Sequence, residues 1–285
     1  MKRSFLCLLA LALWAQSGQA GIFYRANNRS EGGPGSAADW QVAAWVDGDN
    51  ARVEFTESGN PLLPGGSYLL TTDGGQTVVL VNTEQGTYSR WDIEAMLRSV
   101  HQIMESTGGM LSMTIRDSQV ELLLEEAGGE LLGHATTHYS YRTAYEMQLK
   151  VLGMKRRQMI VTDQEIWSTD DFGDPGMGMW LRQTPANTGD GGFDALIEVE
   201  LDKMKGFPLK TVTTTTTTGK KGRATTTKNW MEVTELREES VAAETFVLDP
   251  DLVEQPMPLF GAPADGEENE GGGLRGLLKR SRGGG

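Results

Sequence analysis

Between His138 and Val151 the chain alternates without a break, and this limits the fold more than any other stretch. Odd positions hold Tyr139, Tyr141, Thr143, Tyr145, Met147, Leu149 and Val151. Even positions hold His138, Ser140, Arg142, Ala144, Glu146, Gln148 and Lys150. Successive side chains of an extended strand point to opposite faces, so a period of two gives one apolar face and one wet face. Such a strand needs partners, and the flanking sequence supplies one: Gly153 turns the chain and Gln158 to Trp167 is expected to return antiparallel. The same pattern recurs. Trp40–Val46 and Ala51–Phe55 flank Asp47-Gly48-Asp49-Asn50, and Ser67–Thr72 and Thr77–Val81 flank Asp73-Gly74-Gly75. Asn82–Gly86 is a further turn, and Leu209–Thr218 and Arg223–Leu236 flank Gly219–Gly222. Glycine between two β-prone runs marks a hairpin, because it accepts the positive φ that a tight turn demands. Gly32–Gly35 reads as a loop. The fold class is therefore mainly β (α+β), built on antiparallel strands.

Two segments follow the helical period instead. Ser89 and Asp92 have capping-box spacing, with Asp in place of Glu or Gln. After them Ile93, Met96, Leu97, Val100, Ile103 and Met104 fall on one helical face, with Glu94, Arg98, His101 and Glu105 opposite. Phe193, Leu196, Ile197, Leu201 and Met204 define a second helix, stopped by Gly206 and Pro208.

The first twenty residues read as a secretory signal. Lys2 and Arg3 precede an apolar run from Phe5 to Ala15, and Ser17-Gly18-Gln19-Ala20 offers small residues for cleavage after Ala20. An apolar core this short cannot span roughly 30 Å of hydrocarbon. No transmembrane segment is expected in the mature chain. The only cysteine, Cys7, lies inside the signal, so the mature chain has no disulfide, thiolate metal site or thiol chemistry. Lys and Arg number 26 against 39 Asp and Glu. That acidic balance argues against nucleic acid as a partner, since phosphate contacts need clustered positive charge. From Gln255 onward the chain is rich in Pro, Gly and acid and then ends basic. This composition cannot bury a core and is expected to stay disordered. The expected organisation is a signal at 1–20, one β domain at 21–254 and a tail at 255–285.

Five strings in this order carry a resemblance: WVDGDNARVEF (45–55), SYLLTTDGG (67–75), VLGMKR (151–156), KGFPLKTV (205–212) and MEVTEL (231–236). They resemble an exported bacterial family of unknown function grouped with the LolA-like, lipoprotein-carrier-like superfamily. The resemblance covers Trp40 to Val247, including Val241–Phe246, and stops before the tail. It implies a curved antiparallel half-open β-barrel with two amphipathic helices in its concave face. It carries over no functional residues. Lipid handling by the carrier proteins is an analogy of fold.

Other candidate sites have plainer explanations. His134 and His138 would share a face on a helix, but on a strand they lie roughly 13 Å apart, too far for one metal. Asp47-Gly48-Asp49-Asn50 lacks the later oxygen ligands of a calcium loop, and a hairpin turn accounts for it. Asp170-Asp171-Phe172-Gly173-Asp174 is a solvated acidic loop. Thr213–Thr218 reads as a β-branched, hydrated sheet face, and Lys220, Lys221 and Arg223 as protection of a sheet edge. No nucleophile elbow, phosphate loop or dinucleotide fingerprint occurs, and no cofactor is implied. Methionine is the most suggestive feature: Met96, Met104, Met110 and Met113 surround the first helix, and Met177 and Met179 follow. Methionine suits both irregular cores and adaptable binding surfaces.

These readings converge on an exported, periplasmic or secreted, non-enzymatic protein. It would bind an apolar ligand, a lipid or lipoprotein acyl chain, between sheet and helix. The cavity residues would be Met96, Leu97, Val100 and Met104 from the helix and Tyr139, Tyr141, Tyr145 and Met147 from the sheet. The alternative is a protein-interaction or sensor module of the envelope, with a packed core and an envelope protein as partner.

Overall fold

The computed structural model describes residues 21–32, 39–60, 63–92, 95, 111–151, 154–172, 191–203, 205–219 and 222–256. Twelve strands form one sheet: β1 (Gly21–Glu31), β2 (Trp40–Asp47), β3 (Asn50–Ser58), β4 (Tyr68–Thr71), β5 (Thr77–Asn82), β6 (Thr87–Asp92), β7 (Leu111–Leu131), β8 (His134–Val151), β9 (Met154–Thr169), β10 (Phe207–Thr218), β11 (Ala224–Glu239) and β12 (Val253–Glu254). One helix, α1 (Gly191–Asp202), and a 3-10 turn at Ala243–Phe246 complete the described elements. The spatial order is β12-β6-β5-β4-β3-β2-β1-β11-β10-β9-β8-β7, and the sheet is not closed. Every pairing is antiparallel except β12 on β6.

Each hairpin read from the sequence is present. The loop joining β2 to β3 is Gly48-Asp49, with Gly48 at φ 56° and Asn50 Nδ2 donating to the Asp47 carbonyl at 3.1 Å. Gly48 leads the loop, as a two-residue II′ turn requires. The Asp49 carbonyl accepts from Gly74 N at 2.9 Å, tying this turn to the next. The backbone carbonyls of Asp47 and Asp49 and the Asn50 amide thus serve the turn.

Four strands were not read from the sequence and are additions of the structure: β1, β6, β7 and the two-residue β12. β1 alternates from Tyr24 to Arg29, but the buried position Asn28 is polar. β7 is interrupted by three register shifts, which break the period of two. The helix start also moves. Ser89 lies within β6, and Asp92 caps alone: its Oδ1 accepts from Ala95 N at 2.8 Å. The rest of that first helix, the signal and the tail after Pro256 lie outside the described residues. Lys220 and Lys221 lie outside the described residues; among those described, the β10–β11 hairpin is paired on both sides and the sheet edges are β12 and β7.

Apolar side chains collect on both faces. The front face is the one that carries α1. There Tyr24, Ala26, Val42, Ala44, Val53, Phe55, Phe207, Leu209 and Val233 form one core. Tyr24 meets Phe207 edge-on at 5.4 Å. On the back face, Tyr68, Leu70, Val79 and Val81 are covered by Phe246, Val241, Leu248 and Leu252 of the C-terminal segment. Arg52 clamps that segment: its Nη1 donates to the Thr245 carbonyl at 3.3 Å and its guanidinium lies 4.0 Å from the Tyr68 ring centroid.

Candidate functional site

The register of β7, β8 and β9 builds the front face beside the main core. Tyr139 pairs with Ile166, Thr143 with Thr162, and Tyr145 with Ile160. On the other side Ile115 pairs with Met147, and Met113 with Leu149. Directly opposed residues share a face. Tyr139, Tyr141, Tyr145 and Met147 therefore stand on one face, as the alternation requires. Tyr139, Tyr141, Thr143, Ile115, Ile160 and Ile166 are buried, whereas Tyr145, Met147, Leu149 and Met113 are only half-buried. Met96, Leu97, Val100 and Met104 lie outside the described residues.

A polar cluster divides this face. Lys203, 2% exposed, donates from Nζ to Thr143 Oγ1 and to Glu200 Oε1, each at 2.6 Å. Thr143 Oγ1 donates to the same Glu200 oxygen at 3.1 Å. Lys203 directly follows the last residue of α1, where a cation suits the helix dipole. Its ammonium also lies 5.9 Å from the Tyr141 ring, and the Lys205 ammonium 5.0 Å from the Tyr139 ring. Burial pushes the Tyr141 hydroxyl above its usual range against the lowering effect of Lys205. Burial, then the Glu200 carboxylate, does the same to Tyr145. Both phenols are neutral at ordinary pH. Alternation marked Thr143 as inward-facing, but the Glu200–Lys203 pairing went unread. Its only sequence trace is an opposite-charge pair at i, i+3.

On one side of this cluster, Tyr139, Tyr141 and Ile166 pack together near the main core. On the other, Ile115, Tyr145, Met147 and Ile160 form an apolar strip that Met113 and Leu149 extend. The strip stops at β10 and β11, whose front-face residues are Thr213, Thr215 and Thr217 opposite Asn229, Thr227 and Thr225. The six threonines thus alternate between both faces. Thr162 and Thr215 bond across strands at 3.3 Å, and Thr216 and Thr226 at 3.1 Å.

The two histidines have separate partners. His134 Nδ1 lies 2.7 Å from Asp171 Oδ2 and its ring packs on Phe172. His138 stacks on Trp167 on the back face at 4.2 Å, with Glu126 at 3.5 Å. Among the described residues no group of three or more His, Cys, Asp or Glu is placed to hold a metal. No described helix is long and apolar enough to cross a membrane.

Three grooves are bounded by described residues. One of about 240 Å³ lies under Phe246 and Leu248, and one of about 370 Å³ lies between Lys210, Trp230 and Arg29. The third, of about 420 Å³, runs along Gln119, Val120, Glu121, Arg142 and Ala144. None of the three is lined by Tyr145 or Met147.

No protein-family model matches the chain, and no curated protein matches it. Among solved structures, the crystal structure of a LolA superfamily protein from Nitrosomonas europaea is similar. It is 10% identical, the match covers 81% of this chain and 91% of that chain, and the TM-score is 0.29.

Proposed function

We propose that this is an exported, non-enzymatic envelope protein whose sheet curves as a half-open barrel and holds an acyl chain against its front face. The contact surface is the strip of Ile115, Tyr145, Met147 and Ile160, with Met96, Leu97, Val100 and Met104 of the first helix as the opposite wall. The supporting observation is the uneven burial of this strip. Tyr145, Met147, Leu149 and Met113 are apolar or amphipathic, share one face and keep partial exposure. Tyr145 to Leu149 spans about 13 Å of strand. Each methylene buried along it contributes up to about 0.8 kcal/mol. The neighbouring polar cluster is internally paired, an arrangement that fastens a helix to a sheet rather than one that activates a substrate. In this reading residues 1–20 are removed, residues 21–254 form the binding domain, and the site is periplasmic or secreted.

A second reading has its own support. The edge strand β7 exposes Val120, Leu122, Leu123 and Leu124 along a side that pairs with nothing among the described residues. Exposed apolar edges of this kind serve protein interaction.

Native mass spectrometry of protein isolated from its own envelope tests the first reading directly. The mass should correspond to a chain starting at Gly21 or close to it, with a lipid adduct. The solution counterpart is displacement of a fluorescent fatty acid. Met147→Gln keeps the side-chain length but puts an amide on the strip, and should weaken binding roughly tenfold, since an unpartnered buried amide costs about 1–3 kcal/mol. A chain without lipid and without affinity for the probe, or unchanged affinity in Met147→Gln, would remove the acyl-chain reading.

A further inference from the structure

Among the described residues, β7 carries the longest run of exposed large apolar side chains. Val120 is 36% exposed, Leu122 and Leu123 46%, and Leu124 37%. These four are interleaved with and flanked by acid: Asp117, Glu121, Glu125, Glu126 and Glu130 lie on the same strand. The 420 Å³ groove of Gln119, Val120, Glu121, Arg142 and Ala144 runs beside them. Three register shifts and the positive φ of Asp117 (52°) cut the free edge into short lengths. Such an edge is a poor template for a long added strand. A second copy of β7 would also set acid against acid. The occupant that fits is short, leucine-bearing and basic.

The chain carries one such segment after the last described residue. Leu274, Leu277 and Leu278 are interspersed with Arg275, Lys279, Arg280 and Arg282, and no acidic residue occurs from Leu274 to Gly285. We propose that this C-terminal segment docks along the β7 edge of its own chain, its leucines straddling that edge at Leu122 and Leu124, which face front and back, and its basic groups facing Glu121 and Glu130; Glu125 is already paired with Lys205 and Glu126 lies against His138. The tether reaches this far only when nearly fully extended. Pro256 follows β12 at the opposite edge of the sheet, eleven strand spacings from β7. At about 4.8 Å per spacing this is about 53 Å along the sheet. The 18 steps from Pro256 to Leu274 extend to about 59–65 Å. The docked tail would shield the edge from other chains, and a partner using β7 would have to displace it. This proposal is independent of the acyl-chain reading.

The test uses the full mature chain, which has no cysteine once Cys7 has left with the signal. Leu123→Cys and Leu278→Cys are combined in one protein. Met154→Cys, at a side chain 61% exposed, replaces Leu123→Cys in a control pair. In a glutathione buffer the first pair should close an intramolecular disulfide about tenfold faster than the control, because docking raises the effective concentration. Adding Arg275→Glu and Arg280→Glu, which leave the folded sheet untouched, should remove the difference. So should roughly 0.5 M salt, where screening lengths fall to a few ångströms. Equal rates for the two pairs, a link found only between chains, or a rate unmoved by the tail charge reversals would overturn the proposal. Sedimentation with phosphatidylglycerol vesicles at low salt, without the intramolecular link, would assign the segment to a membrane surface and overturn it as well.

Discussion

Thr143 is the residue whose loss should most clearly expose the wiring beneath α1. Thr143→Val removes one hydroxyl at nearly constant volume, so no cavity follows. The Lys203 ammonium loses one of its two acceptors, both at 2.6 Å, and water cannot replace it at a site 2% exposed. A hydrogen bond to a charged group is worth about 1.5–3 kcal/mol net. Thr143→Val should therefore lower stability by about that amount, or Tm by about 3–12 °C for a chain of this size. Lys203→Met should behave differently. It removes the charge itself, leaves Thr143 donating to Glu200, and replaces the stem with apolar volume. Glu200 is 38% exposed and can turn to water, so the ion pair is discounted for solvent screening. The cost should stay below about 1 kcal/mol. In the Lys203→Met background, Thr143→Val should then become nearly silent, giving a coupling energy of at least about 1 kcal/mol. Urea unfolding followed by tryptophan fluorescence measures all four corners of this cycle. Additive effects, or a Lys203→Met variant weaker than Thr143→Val, would show that Lys203 depends on other partners and would refute the reasoning.

Two further outcomes rest on single residues. Burial opposes ionisation of Asp73, but bonds from Thr77 N at 2.9 and 3.1 Å and from the Thr71 hydroxyl at 3.0 Å, with a further bond from Gln76 N, hold its carboxyl below the ordinary 3.8. A lowered folded-state pKa contributes stability that is present above 3.8 and is lost as pH falls through the folded value. Wild type should lose its advantage over Asp73→Asn only in that acid window, read from urea midpoints against pH, and a constant difference from neutral pH into acid would count against the turn bonds. The β7–β8 loop is Leu132-Gly133, both at positive φ (53° and 84°), with Leu132 45% exposed. A two-residue loop with both φ positive is the I′ geometry that favours Asn-Gly, so Leu132→Asn should raise stability by about 0.5–1 kcal/mol in thermal unfolding, and a loss of stability would mean that the leucine makes a contact outweighing its backbone.

Leu132 also explains why β7 was not legible. The other hairpins announced themselves through glycine-bearing turns at Asp47-Gly48, Asp73-Gly74-Gly75, Asn82–Gly86 and Gly219–Gly222, and the β8–β9 hairpin through Gly153 and the alternation of its strands. Leu-Gly is a poor turn signal, and the three register shifts of β7 destroy the period on which a strand reading depends. β1 was hidden differently: its buried set includes Asn28, which looks like a surface residue until Trp40 and Asn229 surround it. The front-face quartet Tyr139, Tyr141, Tyr145 and Met147 was legible because strand geometry alone puts them together. The Thr143–Glu200–Lys203 cluster joins positions 57 and 60 residues apart, and no local period encodes such a meeting.

The sheet's width imposes the division of labour among its parts. A twelve-stranded sheet that does not close has two faces and two edges to cover. At the β12 end the C-terminal segment crosses the back face and Phe246 seals it. In the middle, the front-face core of β1, β2, β3, β10 and β11 has Leu63, Leu131 and Phe172 packed against it. At the β7 end the described cover is a single twelve-residue helix fastened by Lys203. Across β10 and β11 threonine makes cover unnecessary, since its hydroxyl tolerates water while its branched carbon suits the pleat. What remains inadequately covered is the half-buried strip around Met147 on the front face and the leucine run on the edge. Contiguous exposed apolar surface of this kind commonly marks a binding site. Among the described residues these are two of the places where burial is incomplete, and they are the ones that the acyl-chain and tail proposals use. Met147→Gln and the Leu123→Cys/Leu278→Cys pair examine them separately, because neither substitution touches the other's surface.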